Sequence, residues 1–392
     1  MRGMTRMALS VLLAATAGGC AVGPDFHRPA APAVAGYTPT PPAPAASAPV
    51  EGGQAQRLVE GQEVAGQWWT MFGSGALNEL VEAALKANPD LQSAEAALRV
   101  AQENLAAARG GFFPSVDAQM TSARQKTAEV LASPLAAGDL MYSLHTAQLT
   151  VSYAPDVFGG LRRQVEASAA QAEVAAFQRE AVYLTLTSNV VAAAIQEASL
   201  RAQIQATHEA IAVASRLLAA VRKQQKAGQL GAADVAAQEA ALAQIEATLP
   251  PLDKQLALQR DLITVLAGRF PSEAMAQTFE LESLHLPQAL PLSLPSRLVE
   301  QRPDIRAAEA QLHAASAQIG VATAARLPSI TLTADLGSSA LAFSKLFASG
   351  TGFWGLTGGS RSRFSVAARC CISNAPRRRH TTRRRHSTGA RY

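Results

Sequence analysis

Cys20 is the residue whose surroundings point most directly to a covalent modification. It follows Ala17-Gly18-Gly19, and this run resembles a lipobox, in which the cysteine thiol is acylated, although leucine usually stands where Ala17 does. An ordinary signal-peptidase site at residues 15–17 is the alternative. The chain has three cysteines, Cys20, Cys370 and Cys371, and their spacing fits neither a disulfide framework nor a zinc site. We therefore predict lipidation at Cys20.

No set of side chains has the spacing typical of an active site. Glu95 and Glu309 hold equivalent positions in a repeated helix, where solvated or interhelical carboxylates are expected. His208-Glu209 is a polar pair within a long helix, and Ser168 and Ser188 lack the strand–turn–helix context of a nucleophile. We therefore predict no enzymatic activity, no metal site and no cofactor other than the lipid on Cys20.

The segments around Cys20 indicate export and anchoring. Arg2 and Arg6 precede a short apolar run, so residues 1–19 are predicted to be a signal peptide rather than a membrane span. Residues 20–66, rich in Pro and Ala, are predicted to be an extended strap. Residue 21 is Ala, not the Asp that retains many bacterial lipoproteins in the inner membrane, which by that resemblance favours the outer membrane.

An internal repeat organises the rest of the chain. Residues 88–115 align without a gap to residues 302–329, at an offset of 214. Each copy predicts a helix that begins at a proline and ends before the next proline. After each of these helices, and in a third run of residues, apolar and polar side chains alternate with a period of two. About ten alternating residues suit a tilted transmembrane strand. An ordinary half-buried sheet is the alternative. The polar positions predicted to line a lumen are Asp117, Gln119, Thr121, Thr146, Gln148, Thr150, Ser152, Thr331, Thr333 and Asp335.

A helical hairpin is predicted between the two copies. Residues 161–227 contain neither Gly nor Pro, and as one helix they would be about 100 Å long. Such a helix needs lateral helical partners. Gly228 and Gly231 suit a tight reversal, and the returning helix is expected to start near Ala232, to kink at Pro250-Pro251 and to end near Ala267.

Several ordered motifs resemble the outer-membrane efflux protein family, in its TolC-like lipoprotein type that serves RND multidrug pumps. They are Cys20 with VGPDFHRP (22–29), QWWTMFGSGALNELVEAALKANPDL (67–91), YAPDVFGGLRRQV (153–165), KAGQLGAADV (226–235), LAGRFP (266–271) and the stretch 294–337. The resemblance covers about residues 20–357.

The resemblance implies a fold that is mainly α with transmembrane β-strands, a TolC-like α-barrel and β-barrel with long helical hairpins. It implies a homotrimer in which each protomer gives four strands to a shared barrel, anchored in the outer membrane and extending into the periplasm. It also implies a periplasmic adaptor (membrane fusion) protein and an inner-membrane RND pump as partners, for export of drugs or other small solutes. Gly228, Leu230, Gly231 and Asp234 would lie at the periplasmic tip that meets the adaptor.

The predicted domains follow from these motifs. They are residues 1–19 (signal peptide), 20–66 (strap), 67–287 (first repeat), 288–359 (start of the second repeat) and 360–392 (basic tail). Residues 361–392 hold ten arginines and no acid, yet an exported chain has no nucleic acid to bind. Codons for this tail can be chosen so that the neighbouring reading frame encodes Pro-Leu-Phe-x-Gly-Gly, an element that the family has at this point. We therefore expect the tail to be translated out of frame. The second half would then be incomplete, without its fourth strand, and the chain would be a defective form of the channel.

A periplasmic adaptor lipoprotein is the alternative function, since adaptors also combine a lipid anchor with a helical hairpin. An adaptor would carry a Gly- and Val-rich lipoyl-type β-domain beside the hairpin, and the sequence contains no such stretch.

Overall fold

The computed structural model describes most of the chain and divides it into two compact units. One unit comprises Met1–Pro29, Arg99–Val174 and Ala307–Tyr392, and the other comprises Ala30–Leu98 and Ala175–Arg306. The residues that the structure describes are 21–30, 47, 54–62, 64–126, 141–273, 275, 277–292 and 301–362.

Helices dominate the described residues, as the sequence predicts. They are α1 (Gly75–Ala87), α2 (Pro89–Gly110), α3 (Gly160–Lys226), α4 (Ala232–Glu246), α5 (Leu249–Leu266) and α6 (Pro303–Ala324). Short 3-10 turns occupy Trp68–Phe72, Leu281–Ser283 and Phe343–Lys345. No helix in the described ranges is both long enough and apolar enough to cross a membrane.

The strands form two sheets. They are β1 (Arg57–Glu60), β2 (Ser115–Lys126), β3 (Met141–Tyr153), β4 (Ala289–Leu292), β5 (Ser329–Ala340) and β6 (Gly352–Arg361). β1 pairs with β4 in parallel. The four long strands form an antiparallel sheet in the order β2-β3-β5-β6, which leaves β2 and β6 at its edges.

β6 corrects the expectation that the fourth strand is missing. It pairs with β5 from Gly352 opposite Ser338 to Arg361 opposite Ser329. Its segment, GFWGLTGGSR, is so rich in glycine that its own strand preference is weak. Hydrogen bonding to β5 therefore stabilises the strand conformation of this segment, which the local sequence alone does not favour. The rest of the basic tail, residues 363–392, lies outside the described residues.

The internal repeat is reproduced in the element boundaries. α2 and α6 each have 22 residues, and β2 and β5 each have 12. Every boundary of the second copy equals the corresponding boundary of the first plus the predicted 214 positions. The helix-to-strand change therefore falls at the same place in both copies, after the Pro114-Ser115 and Pro328-Ser329 steps.

The long hairpin follows the predicted pattern. α3 runs unbroken for 67 residues. Its start is capped by Asp156, whose carboxylate accepts hydrogen bonds from the backbone N–H groups of Leu161 and Arg162 at 3.0 and 2.8 Å. The returning arm breaks between α4 and α5, where α5 carries prolines in its first turn.

The hydrophobic core of the second unit packs α1 against α3 and α5. Leu77, Leu80, Val190 and Ile263 are buried there together with Phe279. The close approach of α5 to α1 depends on Gly268, which follows α5 at φ +74° and has the Ala87 carbonyl oxygen 2.5 Å from where a Cβ would stand. A side chain at Gly268 would collide with the backbone of Ala87. It would also strain the backbone of residue 268 itself, because φ is positive there.

Candidate functional site

The ten polar strand positions that the sequence singles out share one face of the four-stranded sheet. Asp117 lies opposite Thr150, which in turn lies opposite Asp335, and residues directly opposite one another in antiparallel strands point to the same side. The side chains contact one another: Thr150 Oγ1 donates to Asp335 Oδ1 at 2.7 Å, and Thr146 and Ser339 hydroxyls lie 3.1 Å apart. We call this side the polar face.

The opposite side of the sheet, here called the apolar face, is exposed and hydrophobic. Trp354 and Leu356 of β6 are 79% and 75% exposed. Val116, Met120, Leu149, Ile330, Leu332 and Leu336 extend this surface over the other three strands and are all exposed. An apolar face of this extent needs a hydrophobic environment, and alternation with a polar face is the pattern of a membrane strand.

The four tip residues lie at the reversal between α3 and α4. Gly228 adopts φ +76°, and its N–H and that of Gln229 donate to the carbonyls of Gln225 and Gln224, which is a Schellman motif. Gly231 differs, since its φ is −86° and its N–H donates to Asp234 Oδ2 at 2.9 Å, which is the half of a capping box that the carboxylate supplies. The turn therefore requires glycine at position 228, whereas other residues fit the backbone at position 231.

Cys20 lies outside the described residues, but the segment that follows it contacts α3. Arg163 of α3 is 7% exposed in its side chain and bonds Asp25 at 2.6 Å and Glu166 at 2.8 Å. Its Nε donates to the Val22 carbonyl at 3.3 Å. We call residues 21–29, held in this way, the docked segment. Sequence reasoning missed this role of Arg163, because its partners are far apart in the chain.

The docked segment also contacts α6. The rings of Phe26 and His313 stack with centroids 4.5 Å apart, and His313 Nε2 lies 2.9 Å from Glu166 Oε1. Arg28 bonds Glu309 at 2.6 Å. Because Glu166 bonds both Arg163 and His313, one carboxylate joins α3 and α6 beneath the segment.

Glycines allow the docked segment to approach so closely. Gly159, at φ +73°, has Ala21 Cα 2.5 Å from where its Cβ would stand. Gly320 of α6 would place a Cβ 2.8 Å from the Arg163 side chain. The Gly-Gly of the sequence VFGGLRR thus has a packing reason in addition to its place at the start of α3.

The charge of the Arg163 cluster is fixed by its own contacts. The hydrogen bond from Arg163, followed by its positive charge, lowers the pKa of Asp25 below its ordinary value. The same hydrogen bond is the largest cause that raises the pKa of Arg163, and Glu166 adds to it. Both groups are therefore ionised around neutral pH.

The residues considered for catalysis have structural partners. Glu95 lies 3.5 Å from Arg179, and Glu309 bonds Arg28. Ser168 donates to the Gln164 carbonyl one helical turn away. Among the described residues, no group of three or more His, Cys, Asp or Glu side chains is placed to hold a metal ion.

Comparison with protein families gives one decisive match. Residues 80–269 and 294–368 match the model of the outer membrane efflux protein family. The chain belongs to this family. The match includes both copies of the repeat and all four strands of the large sheet.

Individual efflux proteins are similar along most of the chain. The pyoverdine export outer membrane protein OpmQ of Pseudomonas putida is 30% identical over 79% of this chain and 66% of its own length. The toluene efflux pump outer membrane protein TtgC, from another strain of Pseudomonas putida, is 30% identical over 90% of this chain and 70% of its own. This chain thus spans about two thirds of the length of these relatives.

A solved structure shows the same fold. The outer-membrane channel OprN superposes with a TM-score of 0.81 at 25% identity, covering 95% of this chain and 80% of OprN. The efflux family member described here accordingly has the TolC-like fold and is an outer-membrane protein. Its relatives are channel and efflux proteins rather than enzymes.

Proposed function

We propose that this chain is the outer-membrane channel component of a tripartite, RND-type efflux system that exports small solutes. One observation carries the proposal: a single four-stranded sheet has one polar and one exposed apolar face, and its β3 leads directly into the 67-residue helix α3. A strand in lipid needs the apolar face outside, and a water-filled duct needs the polar face inside.

With the fourth strand β6 present, the expectation of a defective channel loses one of its grounds, and the free edges of the sheet support a homotrimer. β2 and β6 each pair on one side within the chain, and open strand edges are not tolerated in a hydrocarbon environment. Pairing of β6 of one copy with β2 of the next, repeated around a three-fold axis, removes every edge and gives a barrel of twelve strands.

A groove on the helices provides a second surface for the same assembly. It has a volume of about 590 Å³ and lies between α2 and α3. Ala94, Ala97, Ala175 and Ala181 line it, and small side chains allow helices to approach closely. Lateral packing of a neighbouring copy's helices would cover this groove.

The remaining partners follow from the proposed duct. A periplasmic adaptor would meet Gly228, Leu230, Gly231 and Asp234 at the hairpin tip, and an inner-membrane pump would supply the solute. Acyl chains on Cys20 would hold the docked segment at the membrane. We assign the chain no enzymatic role, no nucleic acid and no cofactor besides this lipid. The adaptor alternative lacks support, because the family match covers the membrane strands as well as the hairpin.

Conductance tests the proposal. The purified chain, extracted from outer membranes, is added to a planar lipid bilayer, and we expect discrete steps of current that scale with salt concentration. Asp335→Asn, on the polar face, should change the preference for cations over anions. Glu103→Gln, which removes the same charge from an exposed position of α2, is the matched control and should leave it unchanged. A chain that stays water-soluble once its lipid is removed and gives no current would contradict the proposal.

A further inference from the structure

We propose that the apolar face carries a binding site for a phosphate-bearing lipid of the outer leaflet, formed by Arg124, Lys126 and Lys345. This inference rests on the proposed function, because it needs the sheet to stand in the membrane. We call these three residues the basic patch, and the end of the sheet at Lys126, Ala340 and Gly352 the distal end, since β2 and β3 join their helices at the other end.

The register places Arg124 and Lys126, two of the three residues of the patch, on one face at the distal end. Arg124 and Lys126 lie opposite Ser143 and Met141, on the same side of the sheet as Val116 and its apolar neighbours. Along β2 the outward residues change from Val116, Ala118 and Met120 to Ser122, Arg124 and Lys126. Such a change from apolar to basic side chains marks the level at which hydrocarbon gives way to lipid headgroups.

The loop between β5 and β6, which carries the third cation, contacts the outward face at the residue pair next to Arg124. The ring of Phe343 meets the ring of His145 edge-on at 5.6 Å, and the Ser122 hydroxyl lies 2.6 Å from His145 Nδ1. Lys345 ends the turn that begins at Phe343 and is exposed. The turn is therefore held against the outward face directly beside the residues that precede Arg124.

The charge of the patch has no described counterpart. Arg124 Nη2 donates to Met141 Sδ at 3.8 Å, and no salt bridge joins Arg124, Lys126 or Lys345 to a described carboxylate. Within the described part of the four strands the acids are Asp117 and Asp335, and both lie on the polar face. Glu129 and Asp139 belong to residues 127–140, outside the described part.

The loop that carries Lys345 also carries exposed aromatic side chains. Phe343 and Phe347 are 60% and 81% exposed, and Leu341 adjoins them. Aromatic rings at headgroup level are typical of membrane interfaces, and they would pack on acyl chains while the cations bind phosphate. The combination fits an anionic lipid better than a soluble anion, which would have no use for the apolar surroundings.

Native mass spectrometry of the detergent-solubilised chain tests the site, with a bisphosphorylated glycolipid as the probe and its phosphate-free form as the matched lipid. We expect the phosphorylated form to bind about a hundredfold more tightly, given roughly 1 kcal/mol for each of the three cations near a charged lipid. The triple variant Arg124→Gln/Lys126→Gln/Lys345→Gln should lose this preference. The control Arg216→Gln/Lys223→Gln/Lys254→Gln removes the same charge from exposed helical positions and should keep it.

Two further measurements separate the possible failures. Brominated lipid should quench the fluorescence of Trp354 equally in the wild-type chain and in both triple variants. Trp354 lies on the apolar face and is not a neighbour in sequence of any residue of the basic patch. Quenching without a phosphate preference would overturn the lipid site alone. Absence of quenching would overturn the proposed membrane role and the site with it. Binding of free inorganic phosphate as strong as that of the lipid would also contradict the lipid assignment.

Discussion

Arg163 and Asp25 form a salt bridge of 2.6 Å across 138 positions of sequence. Asp25 is 79% exposed in its side chain, whereas Arg163 is 7% exposed. The docked segment therefore reaches from the surface to a buried guanidinium. If Cys20 is acylated, this contact links the lipid to the start of α3, only a few residues beyond the end of β3.

Loss of the guanidinium should release the docked segment. In Arg163→Met, Asp25, Glu166 and the Val22 carbonyl all lose a donor, and we expect the Val22 amide to exchange with solvent about tenfold faster. Hydrogen exchange followed by mass spectrometry of residues 21–29 measures this. Arg179→Met, which also breaks an arginine–carboxylate pair, is the control. Equal exchange in wild type and Arg163→Met would refute the anchoring role.

The same segment should be sensitive to acid. The folded-state pKa of Asp25 is lowered by Arg163, so its contribution to docking is present above the ordinary aspartate pKa of about 4 and is lost as pH falls through the lower, folded value. The ratio of Val22 exchange rates in Asp25→Asn and wild type should exceed one at pH 7 and approach one in stronger acid. A ratio independent of pH would show that Asp25 does not contribute.

The two glycines of the tip should respond differently to substitution. Gly228→Ala forces a side chain into the left-handed region and should cost roughly 1–2 kcal/mol of local stability, with Gly228→Asn costing less. Gly231→Asn should be nearly neutral, because asparagine is favoured at an N-cap. Hydrogen exchange of residues 222–239 measures both effects.

Efflux by the same variants separates turn geometry from partner binding. If Gly231 contacts an adaptor, Gly231→Asn should reduce export of a fluorescent substrate while the tip stays folded. Export at the wild-type level would remove the assigned contact at Gly231 and leave the turn requirement at Gly228 intact.

Close packing between α5 and α1 gives a stability prediction. Gly268 and Gly61 have similar left-handed backbones, at φ +74° and +78°, but a Cβ at Gly61 would meet nothing within 4 Å. Gly61→Ala should therefore cost only the backbone strain of about 1–2 kcal/mol, and Gly268→Ala should cost several kcal/mol more because of its collision with Ala87. Thermal unfolding of the two variants makes the comparison. Equal melting temperatures would contradict the packing explanation.

Sequence patterns predicted those parts of the fold that depend on residues close together in the chain. The absence of Gly and Pro predicted α3, and period-two alternation placed all ten polar residues on one face, because strand side chains alternate whatever their partners are. Arg163 could not be found in this way, since Val22 and Asp25 come from a distant segment with no periodic pattern. The residues FWGLTGG were expected only to begin this strand, and its completion was not predicted, because the order of β6 comes from pairing with β5.

Accessibility of neighbouring positions on β3 decides whether the four-stranded sheet forms a channel wall. Single cysteines are introduced at Gln148, Leu149, Thr150 and Val151 in a background with Cys370→Ser and Cys371→Ser, and outer membranes are treated with a charged thiol reagent that does not enter lipid. A channel wall requires labelling at positions 148 and 150 and protection at positions 149 and 151, because only the polar face meets water. Labelling that ignores this alternation, or reverses it, would contradict a channel wall built from this sheet.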